Sequence, residues 1–204
     1  MFSCRTPDRF WTEATVITLS RLIISLVFFM LAILEQDVTY NYIALGIHWA
    51  GDVLDGFVAR RFKQETIPGA ELDLIADRIE TLFFFVIFLH FRPQLVIPVG
   101  IYVLNFAFVD FYLGYQFNKF GLISPNYFDE VDTAVYRFNF SPPAKFINST
   151  VVTLLLIFLP QLWAVAAALA ALLLGIKCYS VSILHKKTGQ AGRPGNRCKE
   201  TDKP

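Results

Sequence analysis

Long apolar runs separated by short polar connections extend along most of the chain. Residues 14–34 include one charged residue, Arg21, and residues 146–176 include none. The second run would form a helix of roughly 46 Å, beyond the roughly 30 Å hydrocarbon core of a bilayer, so we expect a break at Pro160. The pattern predicts an all-α integral membrane protein. Six transmembrane helices are predicted near residues 14–34, 38–61, 70–91, 94–117, 144–159 and 162–185.

The composition supports a membrane protein and argues against several other classes. Apolar residues make up 55% of the 204 residues, and the mean hydropathy of +0.49 is unusual for a soluble surface. A net charge of +1 gives no reason to expect a nucleic-acid partner. Cys4, Cys178 and Cys198 have neither paired nor CxxC spacing, so neither a disulfide framework nor a zinc site is expected. Three histidines are interpreted as residues of the membrane interface rather than ligands: His48, His90 and His185.

The distribution of basic residues predicts the orientation of the helices. With both termini in the cytoplasm, the cytoplasmic segments contain most of the lysines and arginines, and only Arg92 lies on the opposite side. The chain then divides into an N-terminal interfacial segment at 1–13, a six-helix membrane domain at 14–185 and a disordered cytoplasmic tail at 186–204. Phe10 and Trp11 suit either a short helix lying in the interface or an unstructured lead-in.

Four aspartates interrupt the apolar pattern within 26 positions: Asp52, Asp55, Asp73 and Asp77. The first two are three residues apart and share a helix face with Ala59, and the last two are four residues apart and also share a face. The second helix would descend to the cytoplasm and the third would return after the turn RRFKQETIP. The two faces would then meet near the cytoplasmic boundary, with four carboxylates in one small volume.

Carboxylates this close together need a compensating positive charge. Aspartate in a membrane helix is costly and rarely faces lipid. All-oxygen ligation without cysteine or histidine favours a hard divalent cation, Mg²⁺ first and Mn²⁺ or Ca²⁺ next. In one alternative, the acids line a cation pathway of a membrane carrier or channel, although no acidic residue continues that path across the membrane. In another, they only form ion pairs with Arg60, Arg61, Lys63 and Arg78.

The aspartates belong to a longer pattern, DVLDGFVARRFKQETIPGAELDLIAD at residues 52–77. It resembles the signature of the CDP-alcohol phosphotransferases, membrane phospholipid synthases also called CDP-alcohol phosphatidyltransferases. That signature is DxxDGxxAR, eight residues, then GxxxDxxxD, and every defined position is filled. Six membrane helices, with the motif bridging the second and third, resemble the architecture of this family. Thr18 and Arg21 also resemble residues of its first helix, while Thr15 stands where asparagine is common.

The resemblance implies transfer of a phosphatidyl or related group from a CDP-linked donor to a hydroxyl group, with release of CMP. It implies one or two divalent ions, Mg²⁺ or Mn²⁺, ligated by Asp52, Asp55, Asp73 and Asp77. Asp77 would also act as the general base toward the acceptor hydroxyl. The residues implied along the CDP moiety are Gly56, Ala59, Arg60 and Gly69. The expected partners are CDP-diacylglycerol, a small polar alcohol and the lipid bilayer, and a homodimer is compatible with the sequence.

Two cues to the acceptor alcohol disagree. GAELDLIADR, which ends at Arg78, resembles members that act on inositol-type alcohols, whereas SPPAKFINST resembles a lysine-containing stretch of the glycerol 3-phosphate members. Inositol, an inositol phosphate and glycerol 3-phosphate therefore stay open as acceptors. Arg137 and Lys145 either contact an acceptor phosphate or serve as ordinary cytoplasmic charges.

Overall fold

The computed structural model describes residues 9–191, and all regular structure within that range is helical. The helices are α1 Glu13–Leu34, α2 Val38–Arg61, α3 Ile67–Phe91, α4 Pro93–Phe120, α5 Thr133–Phe140, α6 Pro142–Phe158 and α7 Trp163–Ala191. Short 3-10 turns at Pro125–Glu130 and Pro160–Leu162 precede α5 and α7. The expectation of an all-α protein is confirmed for the described residues.

Threonine caps set where α1 and α3 begin. Thr12 Oγ1 accepts a hydrogen bond from the backbone N–H of Thr15 at the start of α1. Thr66 Oγ1 accepts one from the N–H of Gly69, and Pro68 in the first turn of α3 has no N–H that needs a partner. These local bonds place Thr15 and Gly69 at the same end of the bundle as the aspartates.

Three π-helical turns interrupt α4, α5 and α6, at Asn105–Asp110, Tyr136–Phe140 and Ile147–Val151. Such turns change the regular backbone hydrogen bonding and recur at functional sites. In α6, the backbone carbonyl groups of Asn148 and Ser149 accept hydrogen bonds from the hydroxyl of Tyr102 at 3.2 and 3.1 Å. A side chain of α4 thereby stabilises the irregular turn of α6.

Two groups of buried apolar side chains hold the helices together. The larger group includes Phe84 and Tyr102 and joins α1, α2, α3, α4, α6 and α7. The smaller group, around Phe117 and Phe128, packs against the start of α3. Other large apolar residues point outward, such as Val86, which is 68% exposed. This outward apolar surface suits contact with lipid, in which close packing holds helices together.

Each predicted span corresponds to a helix of the structure. Three helices are long and apolar enough to cross a membrane: Glu13–Leu34, Pro93–Phe120 and Pro160–Thr188. The pair Thr133–Phe140 and Pro142–Phe158, which bends by 41°, adds a fourth if it forms one span. α2 and α3 contain the aspartates, and by composition they are not among the helices apolar enough to cross a membrane. Six membrane crossings therefore stay a prediction.

Two segments predicted from composition flank the bundle. Residues 9–12 form no helix, and Phe10 and Trp11 are exposed there with their rings 5.1 Å apart. The rest of the predicted interfacial segment lies outside the described residues. At the other end, α7 continues to Ala191, which is six residues into the predicted tail, and the remainder of the tail also lies outside the described range.

Candidate metal and substrate site

A cluster of carboxylates surrounds one guanidinium group where α1, α2 and α3 meet. The side chain of Arg21, on α1, is only 2% exposed. Its terminal nitrogen atoms lie near one carboxylate oxygen of each motif aspartate: Asp52 at 3.6 Å, Asp55 at 3.7 Å, Asp73 at 3.3 Å and Asp77 at 3.0 Å. The aspartate faces of α2 and α3 therefore meet, as the residue spacing predicts.

Three of these aspartates are close enough to share a metal ion. One carboxylate oxygen from each of Asp52, Asp55 and Asp73 lies within 4.8 Å of the others. The side chains of Asp52 and Asp73 are 49% and 38% exposed, so an ion can reach them. One guanidinium cannot balance four carboxylates, and a set of carboxylate oxygens suits Mg²⁺ or Mn²⁺. The residues present therefore fit a divalent metal ion.

Asp77 belongs to a second group that lies deeper in the bundle. His48, Asp77 and Glu80 offer ligand atoms within 4.8 Å of one another. Glu80 is fully buried and accepts a hydrogen bond from Nδ1 of His48 at 2.9 Å. The interpretation of His48 as an interfacial residue is therefore wrong, and Glu80 was not singled out from the sequence. Helical spacing could have found both, since His48 lies four residues before Asp52 and Glu80 three after Asp77.

This geometry gives little support to the two alternatives, in which the acids only form ion pairs with nearby basic residues or line a cation pathway. In the described part of the chain, Arg60, Arg61 and Lys63 form no ion pair with the four motif aspartates. Of these four, Arg78 reaches only Asp77, at 3.8 Å. The cation that contacts all four is instead on α1. Glu80 extends the acidic cluster by one turn, but α3 beyond it contains no further acidic residue. A row of acids across the bundle, as a cation pathway would need, is not formed by α3.

A cavity of about 80 Å³, here called pocket A, opens beside the cluster. Asp55 and Asp73 contribute to its wall, and Thr18 donates a hydrogen bond to Oδ2 of Asp55 at 2.8 Å. Pocket A also brings together the four residues that the family resemblance assigns to a CDP moiety, Gly56, Ala59, Arg60 and Gly69. A nucleotide-binding role for these residues is a proposal that their shared position supports.

A second cavity of about 160 Å³, pocket B, adjoins the other side of the cluster. Asp52 and Asp77 line pocket B, together with polar residues from the three π-helical turns, namely Asp110, Asn139 and Asn148. The two pockets have a common wall made of Ala70, Asp73, Ser124 and Asn126. Asp73 therefore faces both cavities.

The basic groups around pocket B differ in how they are paired. Arg78 Nη2 lies 2.5 Å from Oδ2 of Asp110, and Lys177 Nζ binds Oδ1 of the same carboxylate. Lys145 Nζ bonds to the neutral Oδ1 of Asn126 at 2.5 Å and forms no ion pair with the described residues. Arg137 is not among the residues that line pocket B. Of the two candidate phosphate contacts from the sequence, only Lys145 therefore lies at the pocket.

Two side-chain contacts hold the loop between α4 and α5, one in its middle and one at its end. The hydroxyl of Tyr127 donates to a carboxylate oxygen of Glu65 at 2.6 Å, and this bond raises the pKa of Tyr127 to about 12. Asp132 lies 2.7 Å from Nζ of Lys187, whose hydrogen bond lowers the pKa of Asp132. These contacts hold the loop to the α2–α3 turn and to α7, and so keep its residues at the common wall of the pockets.

Comparison with known proteins supplies the family. No curated protein and no solved structure shows significant similarity to the chain. The sequence model described as CDP-alcohol phosphatidyltransferase matches residues 11–177, a range that contains the carboxylate cluster and the residues of pockets A and B. Because the match covers most of the chain, the protein belongs to the CDP-alcohol phosphatidyltransferase family.

Proposed function

We propose that the protein transfers a phosphatidyl group from CDP-diacylglycerol to the hydroxyl group of a small polar alcohol, with release of CMP. Family membership supports a transferase that uses a CDP-alcohol. The observation that carries the proposal is the pair of adjoining pockets at one carboxylate cluster. A nucleotide in pocket A and an alcohol in pocket B would bring the two reacting groups together beside Asp73.

The carboxylate cluster is proposed to hold Mg²⁺ or Mn²⁺, as one ion or a pair, through Asp52, Asp55, Asp73 and Asp77. When bound, the metal neutralises the diphosphate and stabilises the negative charge of departing CMP. Arg60 places a guanidinium at pocket A, where it can bind a phosphate through two hydrogen bonds. A methyl group at Gly56 would lie 3.2 Å from Nη1 of Arg60, so glycine leaves that guanidinium room.

Asp77 is proposed as the general base. It lines pocket B, and Arg21 Nη2 holds its Oδ1 at 3.0 Å. The acceptor oxygen attacks the phosphorus that carries the diacylglycerol group, and the bond from this phosphorus to the CMP oxygen breaks. The hydroxyl proton passes to a carboxylate oxygen of Asp77, and CMP leaves with the bonding electron pair.

The acceptor is proposed to carry a phosphate group, as in an inositol phosphate or glycerol 3-phosphate. Support comes from Lys145, whose ammonium group lies at pocket B and forms no ion pair with the described residues. The amide groups of Asn139 and Asn148 add hydrogen-bonding capacity for hydroxyl groups at the same pocket. Neutral inositol would offer the lysine no anionic partner.

The experiment is CMP release from CDP-diacylglycerol by the purified protein with Mg²⁺. Glycerol 3-phosphate, inositol, inositol phosphate and serine are tested as acceptors. We expect CMP release that depends on one of the phosphorylated alcohols. No release with any acceptor contradicts the proposed function, and release that depends on unphosphorylated inositol or serine contradicts the phosphate requirement alone.

The proposed membrane orientation has six spans, with both termini and the active site in the cytoplasm. The support is the excess of basic residues in the predicted cytoplasmic segments. Tags at residues 1 and 204 should both be inaccessible from outside intact cells, and a cysteine placed beside Arg92 should react with an external reagent. External labelling of either tag contradicts the orientation.

A further inference from the structure

Arg21 lies near the carboxylates of the site through three nitrogen atoms of its guanidinium group, each of which lies near a different set of acids. Nη1 lies near the two aspartates of α2, and Nη2 lies near the two aspartates of α3. Nε lies 3.3 Å from Oε2 of Glu80. A buried arginine is costly unless anionic groups surround it, and its planar group holds partners in fixed directions. Arg21 of α1 therefore lies between the aspartates of α2 and the acidic residues of α3 and connects the two sets.

The side chain of Arg21 reaches the cluster by passing directly over the backbone of Gly51. A methyl group at Gly51 would lie 2.3 Å from Cδ and 2.6 Å from Cγ of Arg21. These atoms are in the middle of the side chain, so relief of the clash would move the whole arginine rather than its tip. A methyl group at Gly46, on the same helix, would have no atom within 4 Å. The path of Arg21 thus requires glycine at position 51.

The buried pair of His48 and Glu80 lies beside Nε of Arg21. Glu80 is 0% exposed, and its Oε2 also accepts the 2.9 Å hydrogen bond from His48. Nε of Arg21 lies beside Glu80, whereas its two terminal nitrogen atoms lie beside the aspartates. His48 and Glu80 lie on α2 and α3, so the pair connects the same helices as the cluster.

We propose that Gly51, His48 and Glu80 are positioning residues for Arg21, and that Arg21 holds the motif aspartates in the arrangement that binds the divalent metal. The three positioning residues lie outside the motif at 52–77. The metal part of this inference rests on the proposed function. Groups that hold ligating side chains in place change metal affinity by about 10–100-fold when they are removed.

The test compares Gly51→Ala with the matched control Gly46→Ala in purified protein. Mn²⁺ affinity is measured from the electron paramagnetic resonance signal of the free ion, and CMP release is measured on the same preparation. We expect Gly51→Ala to weaken Mn²⁺ binding at least about tenfold and Gly46→Ala to leave it within about twofold. Unchanged or tighter binding in Gly51→Ala overturns the proposal.

A second pair of variants tests the same inference without a change in side-chain size. Glu80→Gln removes the charge that faces Nε, and we expect Mn²⁺ binding to weaken by about tenfold. Glu71→Gln is the control on the same helix, because Glu71 hydrogen-bonds to Asn118 and does not contact the cluster. Equal Mn²⁺ affinity in Glu80→Gln and wild type removes Glu80 from the proposal.

An Arg21→Ala background separates positioning from a general structural role. Without the arginine, neither Gly51→Ala nor Glu80→Gln can displace its side chain. Each should therefore weaken Mn²⁺ binding by less than about threefold beyond the effect of Arg21→Ala. Of the three arginine atoms nearest the added methyl group, only Cβ remains, at 3.0 Å, and a small shift relieves it. Fully additive losses overturn the proposal. A wild-type protein that binds Mn²⁺ but releases no CMP contradicts only the proposed function, whereas one that binds no Mn²⁺ contradicts both.

Discussion

Asp110→Asn is expected to destabilise the protein strongly, because this one carboxylate forms ion pairs with two buried cations. Asp110 lies on α4 and binds Arg78 of α3 and Lys177 of α7. The side chains of Arg78 and Lys177 are 10% and 2% exposed, so water cannot replace the lost carboxylate. The three helices α3, α4 and α7 would lose the ion pairs that join them.

The burial of these groups sets the size of the effect. Removing one partner of a buried ion pair costs about 3–5 kcal/mol, because the other charge is left uncompensated. In a chain of this size, 1 kcal/mol shifts Tm by about 2–4 °C, which gives a fall of about 6–20 °C for Asp110→Asn. Asp132→Asn is the control, since its partner Lys187 is 39% exposed. Loss of such a partly exposed pair costs about 0–1 kcal/mol.

Thermal unfolding in detergent, followed by tryptophan fluorescence and by size-exclusion chromatography, measures the difference. Lys177→Met combined with Asp110→Asn removes the unpaired ammonium group and should recover at least about half of the lost Tm. The reasoning is refuted if Asp110→Asn lowers Tm no more than Asp132→Asn does. It is also refuted if Lys177→Met lowers the Tm of Asp110→Asn further.

Three further predictions concern the site. Asp77→Asn should bind CDP-diacylglycerol with an affinity within about tenfold of wild type but lose roughly 100-fold or more in turnover. Near-normal turnover excludes Asp77 as the base. Loss of donor binding makes Asp77 chiefly a metal ligand. Excess chelator should abolish CMP release and Mg²⁺ or Mn²⁺ should restore it, whereas activity that persists in chelator contradicts metal dependence. Lys145→Gln should raise KM for the phosphorylated acceptor at least about tenfold, and Arg137→Gln should leave it within about twofold. Equal effects of these two variants count against a phosphate contact at Lys145.

The meeting of the aspartates is predictable because it depends on short-range geometry. Asp52 and Asp77 lie on consecutive helices joined by a tight turn, so helical periodicity alone places both on facing sides. The contribution of α1 is harder to predict. The course of Arg21 depends on the close approach of α1 to Gly51, and nothing in the local sequence reports the distance between two helices.

Pocket B could not be predicted from helical periodicity. Its polar residues Asp110, Asn139 and Asn148 lie in π-helical turns, where the backbone departs from 3.6 residues per turn and changes which side chains share a face. The partnership of Asp110 with Lys177 joins residues 67 positions apart. Such a pairing depends on how α4 and α7 pack, which the pattern of either helix does not contain.

The common wall of pockets A and B has a kinetic consequence. Ala70, Asp73, Ser124 and Asn126 border both cavities, so the two substrates of the proposed reaction can occupy the site at the same time. Direct transfer between them needs no covalent intermediate on the protein, and CMP need not leave before the alcohol enters. Initial rates at several fixed donor concentrations should therefore give intersecting rather than parallel double-reciprocal lines, and a single displacement should invert the configuration at phosphorus.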